Sequence, residues 1–369
     1  MRASIITTIR HNVGDDFVRE GILYLLSTIR SFDRFDFIHK HSPLTAIYGF
    51  GNARSLRASK VLEPLARMVA PGDRVKKADL LVQSGAPVYW CHPGGPHCAE
   101  NEWFEPLIRK RFSRDRRDRK FLNIAGGSCQ RYHSDGSEVD ACLKCQSYIR
   151  EFFDICDLTI LRDSLAKLML NKAGRDASVL PCTSIFARDQ LELQAADGEY
   201  IVINFMENGG HYTFGQSINR DLWREQFKNI AGVVKKMGRV VVACHTPQEE
   251  QLAAQLVPDF DRFLVPDQHV EFMKFYARAK FGIVNRVHAG FMMASLGKPA
   301  AVIGNDSRAL MINNLNLPSY YVDDVANVGA EQIIGAIRAR VVDYPDEIDV
   351  IRRQTKEKYI EAISVALSA

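Results

Sequence analysis

Short apolar runs alternate with amphipathic stretches of helical period along almost the whole chain. The first run, Ser4 to Ile9, is β-branched and reads as a strand. A turn, "RHNVGDD", follows it, and then a helical pattern through Arg30 carried by Phe17, Ile22, Leu25, Leu26 and Ile29. Residues 52–70 read as a second helix, kinked by Pro64. "ADLLVQSG" (78–85) and "KFLNIAGG" (120–127) are apolar strands that run into glycines. "DLTILRDSLAKLMLNKAG" (157–174) reads as strand, then Asp163, then an amphipathic helix closed by Gly174. Residues 181–199 lose the periodicity, gain polarity and read as a linker. Beyond Tyr200 the alternation resumes. Strands are expected at 200–205, 239–245, 262–265, 281–285 and 299–303. Helices are expected near 220–237, 248–256, 270–279, 289–296 and 307–315, with a long last helix over 346–367.

This rhythm predicts an α/β protein with two parallel sheets, each covered by helices on both faces, and a cleft between them. The expected units are 1–185, 196–343 and a C-terminal helix, 344–369, that packs back across the domains. In open parallel sheets, ligands bind beyond the carboxyl ends of the strands, so chemistry is sought there.

Composition narrows the field. A chain of 369 residues can bury two cores without staples, and a net charge of +4 is too small to argue for nucleic acid. The densest basic stretch, "SRDRRDRK" (113–120), is interrupted by aspartates and reads as a solvated helix end or loop. No stretch approaches the roughly 18 apolar residues of a membrane span. The N-terminus lacks a signal peptide's apolar segment, so the expectation is a cytoplasmic protein with eight reduced cysteines.

Four residues map to one rim of the second sheet. Arg286 and His288 follow the strand 281–285, His245 follows 239–245, and His211 lies in "MENGGHYTFG" after the strand at 200–205. A guanidinium beside a helix N-terminus suits an anion, and small Ala289 and Gly290 would let a ligand reach the backbone. His288 there suits acid–base work or a hydrogen bond to the anion. The alternative is that Arg286 pairs with a neighbouring acid and His288 caps the helix. Gly209 and Gly210 suit a phosphate-cradling loop, or merely a turn. In the first loop, Asn12 and Gly14 suit a tight turn. Asp15 or Asp16 can cap the next helix, which leaves the other to face the cleft as a base or a sugar-binding acceptor.

Five cysteines crowd one region: Cys91, Cys98, Cys129, Cys142 and Cys145, with His92, His97 and His133 nearby. Cys142 and Cys145 form a CxxC pair. With Cys129, and Cys98 or Cys91 as the fourth ligand, they suit structural zinc or an iron–sulfur centre; the alternative is a set of unconnected thiols. A redox role fits less well, because the pair is not expected to open a helix after a strand.

Several blocks together resemble the polysaccharide pyruvyl transferase family. "NVGDD" resembles its Asn-x-Gly-Asp loop, "LTILRDSLAKLMLNKAG" its strand–Arg-Asp–helix block, and "NRVHAGFMMASLGKPAAVIGNDSR" its Arg-x-His block. The resemblance implies two Rossmann-like domains in a GT-B-like arrangement. It implies transfer of a pyruvate ketal from phosphoenolpyruvate to a sugar diol of a glycan precursor, free or lipid-linked. A lipid-linked acceptor would bring the protein to the inner membrane face. Arg286, His288 and Arg308 would hold the anion, with His288 or His211 as proton donor and Asp15 or Asp16 as base; the reaction needs no metal. This chain departs from the family pattern in two places. Cys182 stands where an Asp is common, and Glu207 and His211 stand where an Arg is usual. A nucleotide-sugar glycosyltransferase and a non-catalytic binding protein of the same fold are the competing expectations.

Overall fold

The computed structural model describes residues 1–9, 12–49, 63, 64, 68, 72–116, 118–207 and 218–368. The helix expected over 52–70 lies almost wholly outside the described residues. So does the loop that carries Gly209, Gly210 and His211.

Two parallel sheets form the two halves. The first contains β1 (Arg2–Thr7), β2 (Arg34–His39), β3 (Leu80–Ser84), β4 (Pro87–Tyr89), β5 (Lys120–Ser128), β6 (Leu158–Leu161) and β7 (Ser178–Val179). Its order is β2-β1-β3-β5-β6-β7, with β4 added to β5. The second contains β8 (Tyr200–Ile203), β9 (Val240–Ala243), β10 (Asp261–Phe263), β11 (Ala279–Val284), β12 (Ala300–Gly304) and β13 (Ser319–Tyr321), in the order β10-β9-β8-β11-β12-β13. The strand sequence in this second sheet reverses between β8 and β11, and the crevice at such a reversal is where open sheets take ligands.

The longer α-helices are α1 (Val13–Ile29), α2 (Leu143–Ile155), α3 (Ser164–Lys172), α4 (Arg220–Lys235), α5 (Pro247–Leu256), α6 (His269–Ala277), α7 (Val287–Ser295), α8 (Ala330–Arg338) and α9 (Tyr344–Ser368). Local sequence explains their starts. Asn12, Asp163, Asn219 and Thr246 each accept a backbone N–H from the first turn of the helix they precede. The segment expected as a helix at 307–315 is instead a 3-10 run capped by Asp306. Strand β2 was not anticipated. Its Phe35 and Phe37 alternate with polar residues, the mark of an edge strand half open to water.

The first part of the expected linker is core. Thr183 to Phe186 form a 3-10 turn that is wholly buried against α1, because Ile185 and Phe186 need cover. Thr183 Oγ1 donates to the Val18 carbonyl at 3.1 Å. The contact is so close that a Cβ on Gly21 would lie 1.8 Å from the Thr183 carbonyl oxygen. Only the polar tract after Gln190 connects the halves as a linker does. Within the basic stretch, Arg119 donates to the Val75 and Phe112 carbonyls and Arg116 pairs with Asp157, so it braces the first domain.

Helix α9 packs back across both halves. Tyr344 donates to the Leu315 carbonyl at its start, Arg352 pairs with Asp189, and Tyr359 donates to the Pro181 carbonyl. Lys356 reaches the Tyr24 hydroxyl of α1 at 2.5 Å. A second tie is ionic: Arg19 bridges Asp16 and Glu20, and Glu20 meets His269 of the other domain at 3.3 Å.

Two glycine substitutions with opposite signs test this packing. Alanine in a helix interior normally gains about 0.5–1 kcal/mol over glycine. Gly232→Ala in α4, with open space around it, should therefore raise the urea midpoint. Gly21→Ala should lower it by the equivalent of about 1–3 kcal/mol, because the methyl meets backbone. Equal effects of the two changes would contradict the tight contact between α1 and the 183–186 turn.

Candidate active site between the two sheets

The carboxyl ends of the strands in both sheets meet across the cleft. Three asparagines set the loops of the second domain. Asn204, Asn285 and Asn305 each stand just after a strand (β8, β11 and β12) and all are buried. Asn204 Oδ1 accepts the backbone N–H groups of Asn285 and Arg286, at 3.2 and 2.9 Å. Asn285 Nδ2 donates to Asn305 Oδ1 at 2.7 Å. This ladder fixes where α7 begins. The helix starts at Val287, so His288 is its second residue and points across to the first domain.

There it meets Gly14. A Cβ at Gly14 would lie 2.5 Å from His288 Nδ1, so only glycine allows the two loops to close this far. On its other edge, His288 Nε2 lies 3.4 Å from Arg162 Nη1 and 3.9 Å from Cys182 Sγ. A guanidinium has donors only, so Nε2 must present its lone pair, and the ring is neutral. Burial, the Arg162 charge and the more distant Arg308 and Arg286 push its pKa down to about 3, against the opposing pull of Asp15.

Arg162 follows β6 and is wholly buried. It donates to the Gly85 carbonyl at 3.1 Å, and its Nε has no partner among the described residues. Next to it, Asp163 caps α3 and also accepts from the Ser128 backbone and hydroxyl, at 2.9 and 2.6 Å. Lys40 follows β2, and its Nζ lies 3.8 Å from Asp15 Oδ2. Burial alone would raise the Asp15 carboxyl. Lys40, Thr8, His288 and Arg162 outweigh it and hold the pKa at about 2. Burial lowers the Lys40 pKa and Asp15 opposes that fall; Arg162 adds to it.

The expected residues therefore separate. Asn12 caps α1 by accepting from Gly14 N at 3.1 Å, so neither aspartate is needed there. Asp15 faces the cleft, but so acidic a carboxyl is a poor base near neutral pH. Asp16 is taken up by Arg19, and burial raises its pKa. Arg286 is bound through Nε to Glu249 Oε1 at 2.9 Å, the ion-pair alternative. Glu249 is buried and also accepts the His245 backbone N–H at 2.9 Å. Arg308 lies on the rim and grips Asp306, with Nη2 to Oδ2 at 2.7 Å.

Three expectations fail on packing. Ala289 and Gly290 do not open the backbone to a ligand. Ala289 is fully buried and its N–H is used by the Arg286 carbonyl, while Gly290 makes room for Val302 of β12. His245 is buried against Phe272 and bonded to the Tyr276 hydroxyl at 2.6 Å, with burial holding its pKa well down. Cys129 and Cys98 do not join the CxxC pair as ligands. Cys129 Sγ sits 3.8 Å from Asp306 Oδ2 at the seam, and Cys98, buried and in contact with Cys145, stands outside the close group of four that Cys91 and His97 complete.

The site thus gathers Lys40 and Arg162 from one domain and Arg308 and Arg286 from the other around a neutral imidazole. Asp15, Asp306 and Glu249 offset part of the charge. A phosphate-bearing anion suits such a place. A separate cavity of about 700 Å³, lined by Lys236, Lys280 and Lys298, lies at the amino ends of the second sheet's strands, away from this chemistry. No helix among the described residues is long and apolar enough to cross a membrane.

No protein-family model and no curated protein matches the chain. Solved structures do resemble it. UDP-GlcNAc 2-epimerase from Methanocaldococcus jannaschii, in complex with UDP-GlcNAc and UDP, has a TM-score of 0.52 at 12% identity, covering 96% of this chain and 99% of that one. The Neisseria meningitidis UDP-GlcNAc 2-epimerase bound to UDP-GlcNAc has a TM-score of 0.51 at 11% identity, covering 98% and 99%. S. aureus MnaA in a co-structure with UDP has a TM-score of 0.51 at 12% identity, covering 95% of each chain. At such identities the likeness bears on fold alone, and the fold is GT-B-like: two parallel-sheet α/β domains facing a cleft.

Proposed function

We propose that the chain is a transferase that moves a group from a phosphate-bearing donor onto a sugar hydroxyl in the cleft. One observation carries this reading: cations from both domains converge on a neutral His288 at the carboxyl ends of both sheets. Arg162, Arg308 and Lys40 would take the donor's phosphate charge and stabilise it on the leaving group. Burial and the surrounding cations hold His288 neutral; a bound dianion would offset the cations, raise its pKa and make it a stronger base for the hydroxyl proton.

Two donors fit this scheme. The resemblance of the Arg-x-His and Asn-x-Gly-Asp blocks favours phosphoenolpyruvate. In that case the methylene carbon takes a proton, the sugar hydroxyl attacks C2 as His288 takes its proton, phosphate leaves, and a second hydroxyl closes the ketal; of the two hydroxyl protons, one replaces that given to carbon and the other leaves with the phosphate. Cys182 speaks against this donor, because it lies against His288 where the resemblance implies an aspartate. A nucleotide sugar is favoured by the fold, since solved structures of like architecture are named with UDP or UDP-GlcNAc. In that case the hydroxyl attacks the anomeric carbon, and a nucleoside diphosphate leaves into the same cations. Calorimetric binding of phosphoenolpyruvate against UDP-, ADP- and GDP-sugars separates the donors. Phosphate or nucleotide release with a panel of sugar acceptors then tests transfer. Binding of none of these anions would remove the reading.

With the donor that binds, His288→Gln should lower turnover by about 100-fold or more, the usual scale of lost acid–base catalysis. Lys40→Met should mainly weaken donor affinity. Near-normal turnover of His288→Gln would take the imidazole out of the chemistry.

The pH dependence of stability has a definite sign. His288 titrates at about 3 in the fold against an ordinary 6.5, so below 6.5 the unfolded chain binds a proton that the fold refuses. Its contribution is complete above 6.5 and falls as pH drops toward 3. Asp15, held at about 2 against 3.8, adds loss only below 3.8. Between pH 6 and 4 the urea midpoint of His288→Gln should therefore decline less than that of the parent. Parallel declines would contradict a neutral His288.

A further inference from the structure

The region away from the cleft holds a second arrangement with its own chemistry. After β4 the chain turns back through "CHPGGPH", where Gly94 and Gly95 take positive φ (79° and 88°). The turn closes with Cys98 N donating to the Trp90 carbonyl at 3.0 Å, and it sets Cys91 opposite His97. Against this hairpin lies the start of α2. Cys142 occupies its N-cap position and Cys145 its first turn. The CxxC pair therefore does open a helix, but after a 3-10 turn at Ser137–Val139 and not after a strand.

His97 Nδ1 faces three sulfurs, those of Cys91, Cys142 and Cys145, at 3.8, 3.7 and 3.6 Å. All four atoms lie within 4.8 Å of one another. A zinc ion with bonds of about 2.3 Å to sulfur and about 2.0–2.1 Å to nitrogen has tetrahedral edges of roughly 3.5–3.8 Å. The three sulfur–nitrogen distances match those edges. A multi-iron cluster would spread its protein ligands wider than one ion does, so the spacing selects a single metal. Cys91 and Cys145 also have backbone carbonyls in reach, those of Glu138 at 3.3 Å and Trp90 at 3.7 Å, but one cation would engage all four groups at once.

We propose that Cys91, His97, Cys142 and Cys145 bind one structural Zn²⁺ in a closed Cys₃His site. Its mechanical role follows from Gln130. The Gln130 side chain accepts from Cys91 N and donates to the Cys91 carbonyl, both at 2.9 Å. The Gln130 backbone reaches the second domain, where its N–H meets Ser307 Oγ and its carbonyl accepts the Ser307 N–H, each at 3.0 Å. The ion thus fastens the hairpin to α2 and, through Gln130, steadies the seam next to Arg308.

Elemental analysis of the full chain, expressed with zinc and passed through gel filtration, should give about one zinc per chain. Cobalt exchanged into the site should show the intense visible bands and thiolate charge-transfer absorption of a tetrahedral thiolate centre. Cys142→Ser with Cys145→Ser should lose the metal, while Cys244→Ala, in the other domain, should keep it. If the double variant does not fold, the parent still decides. Titrating it with a mercurial thiol reagent should release zinc in step with thiol modification, and chelation should lower its Tm. Zinc below about a tenth of an equivalent together with an octahedral cobalt spectrum would overturn the proposal. So would a Cys142–Cys145 disulfide in the purified protein, or full metal retention by the double variant.

Discussion

A wholly buried guanidinium faces an imidazole from the opposite domain, and the rest of the cleft is arranged around how that charge is tolerated. Arg162 gives up water and receives the Gly85 carbonyl, while His288 Nε2 offers it a lone pair. Burying a charge costs several kcal/mol unless partners offset it. Here the imidazole stays neutral, and Asp15 stays ionised nearby. Burial does most to keep the imidazole neutral and the cations add to it, while the low Asp15 pKa, reached against burial, reports the positive charge that an anion would relieve.

The two halves are held in register for this by contacts that do not themselves touch a ligand. Gly14 lets the His288 ring approach, Gly21 lets the 183–186 turn lie on α1, and Gln130 and Ser307 join the loops beyond β5 and β12. Helix α9 then fastens the second domain to α1 and to the turn. None of these contacts is strong alone. Together they hold Arg162 and His288 facing each other across the seam.

The alternation of apolar runs revealed most of the architecture, because parallel strands buried on both faces leave an unmistakable mark in the sequence. What it missed follows from burial too. Strand β2 is half exposed and polar, so its pattern does not announce a strand, nor Lys40 at its end. Arg162 was visible in the Arg-Asp block, but nothing in a linear pattern says that a guanidinium will be buried. Arg286 and His288 stand together just past one strand end, yet only tertiary packing tells that Glu249 occupies the first and Arg162 the second. The asparagines after β8, β11 and β12 were in plain sight as "INF", "VNR" and "GND". Their shared position just past a strand was the signal. The cysteine cluster is legible as a region and not as a ligand set, since only the hairpin's pairing of Cys91 with His97 separates Cys91 from Cys98.

The central claim is that His288 is neutral in the cleft and that an anion joining Arg162 raises its pKa, so that it becomes a stronger base. Nuclear magnetic resonance of the ring nitrogens, assigned with His288→Gln, reads this directly. The account predicts a neutral ring at pH 6 in the free protein, with Nε2 unprotonated, and a higher ring pKa on saturation with the donor. A ring already charged at pH 6 without ligand, or one that ignores the donor, would contradict it.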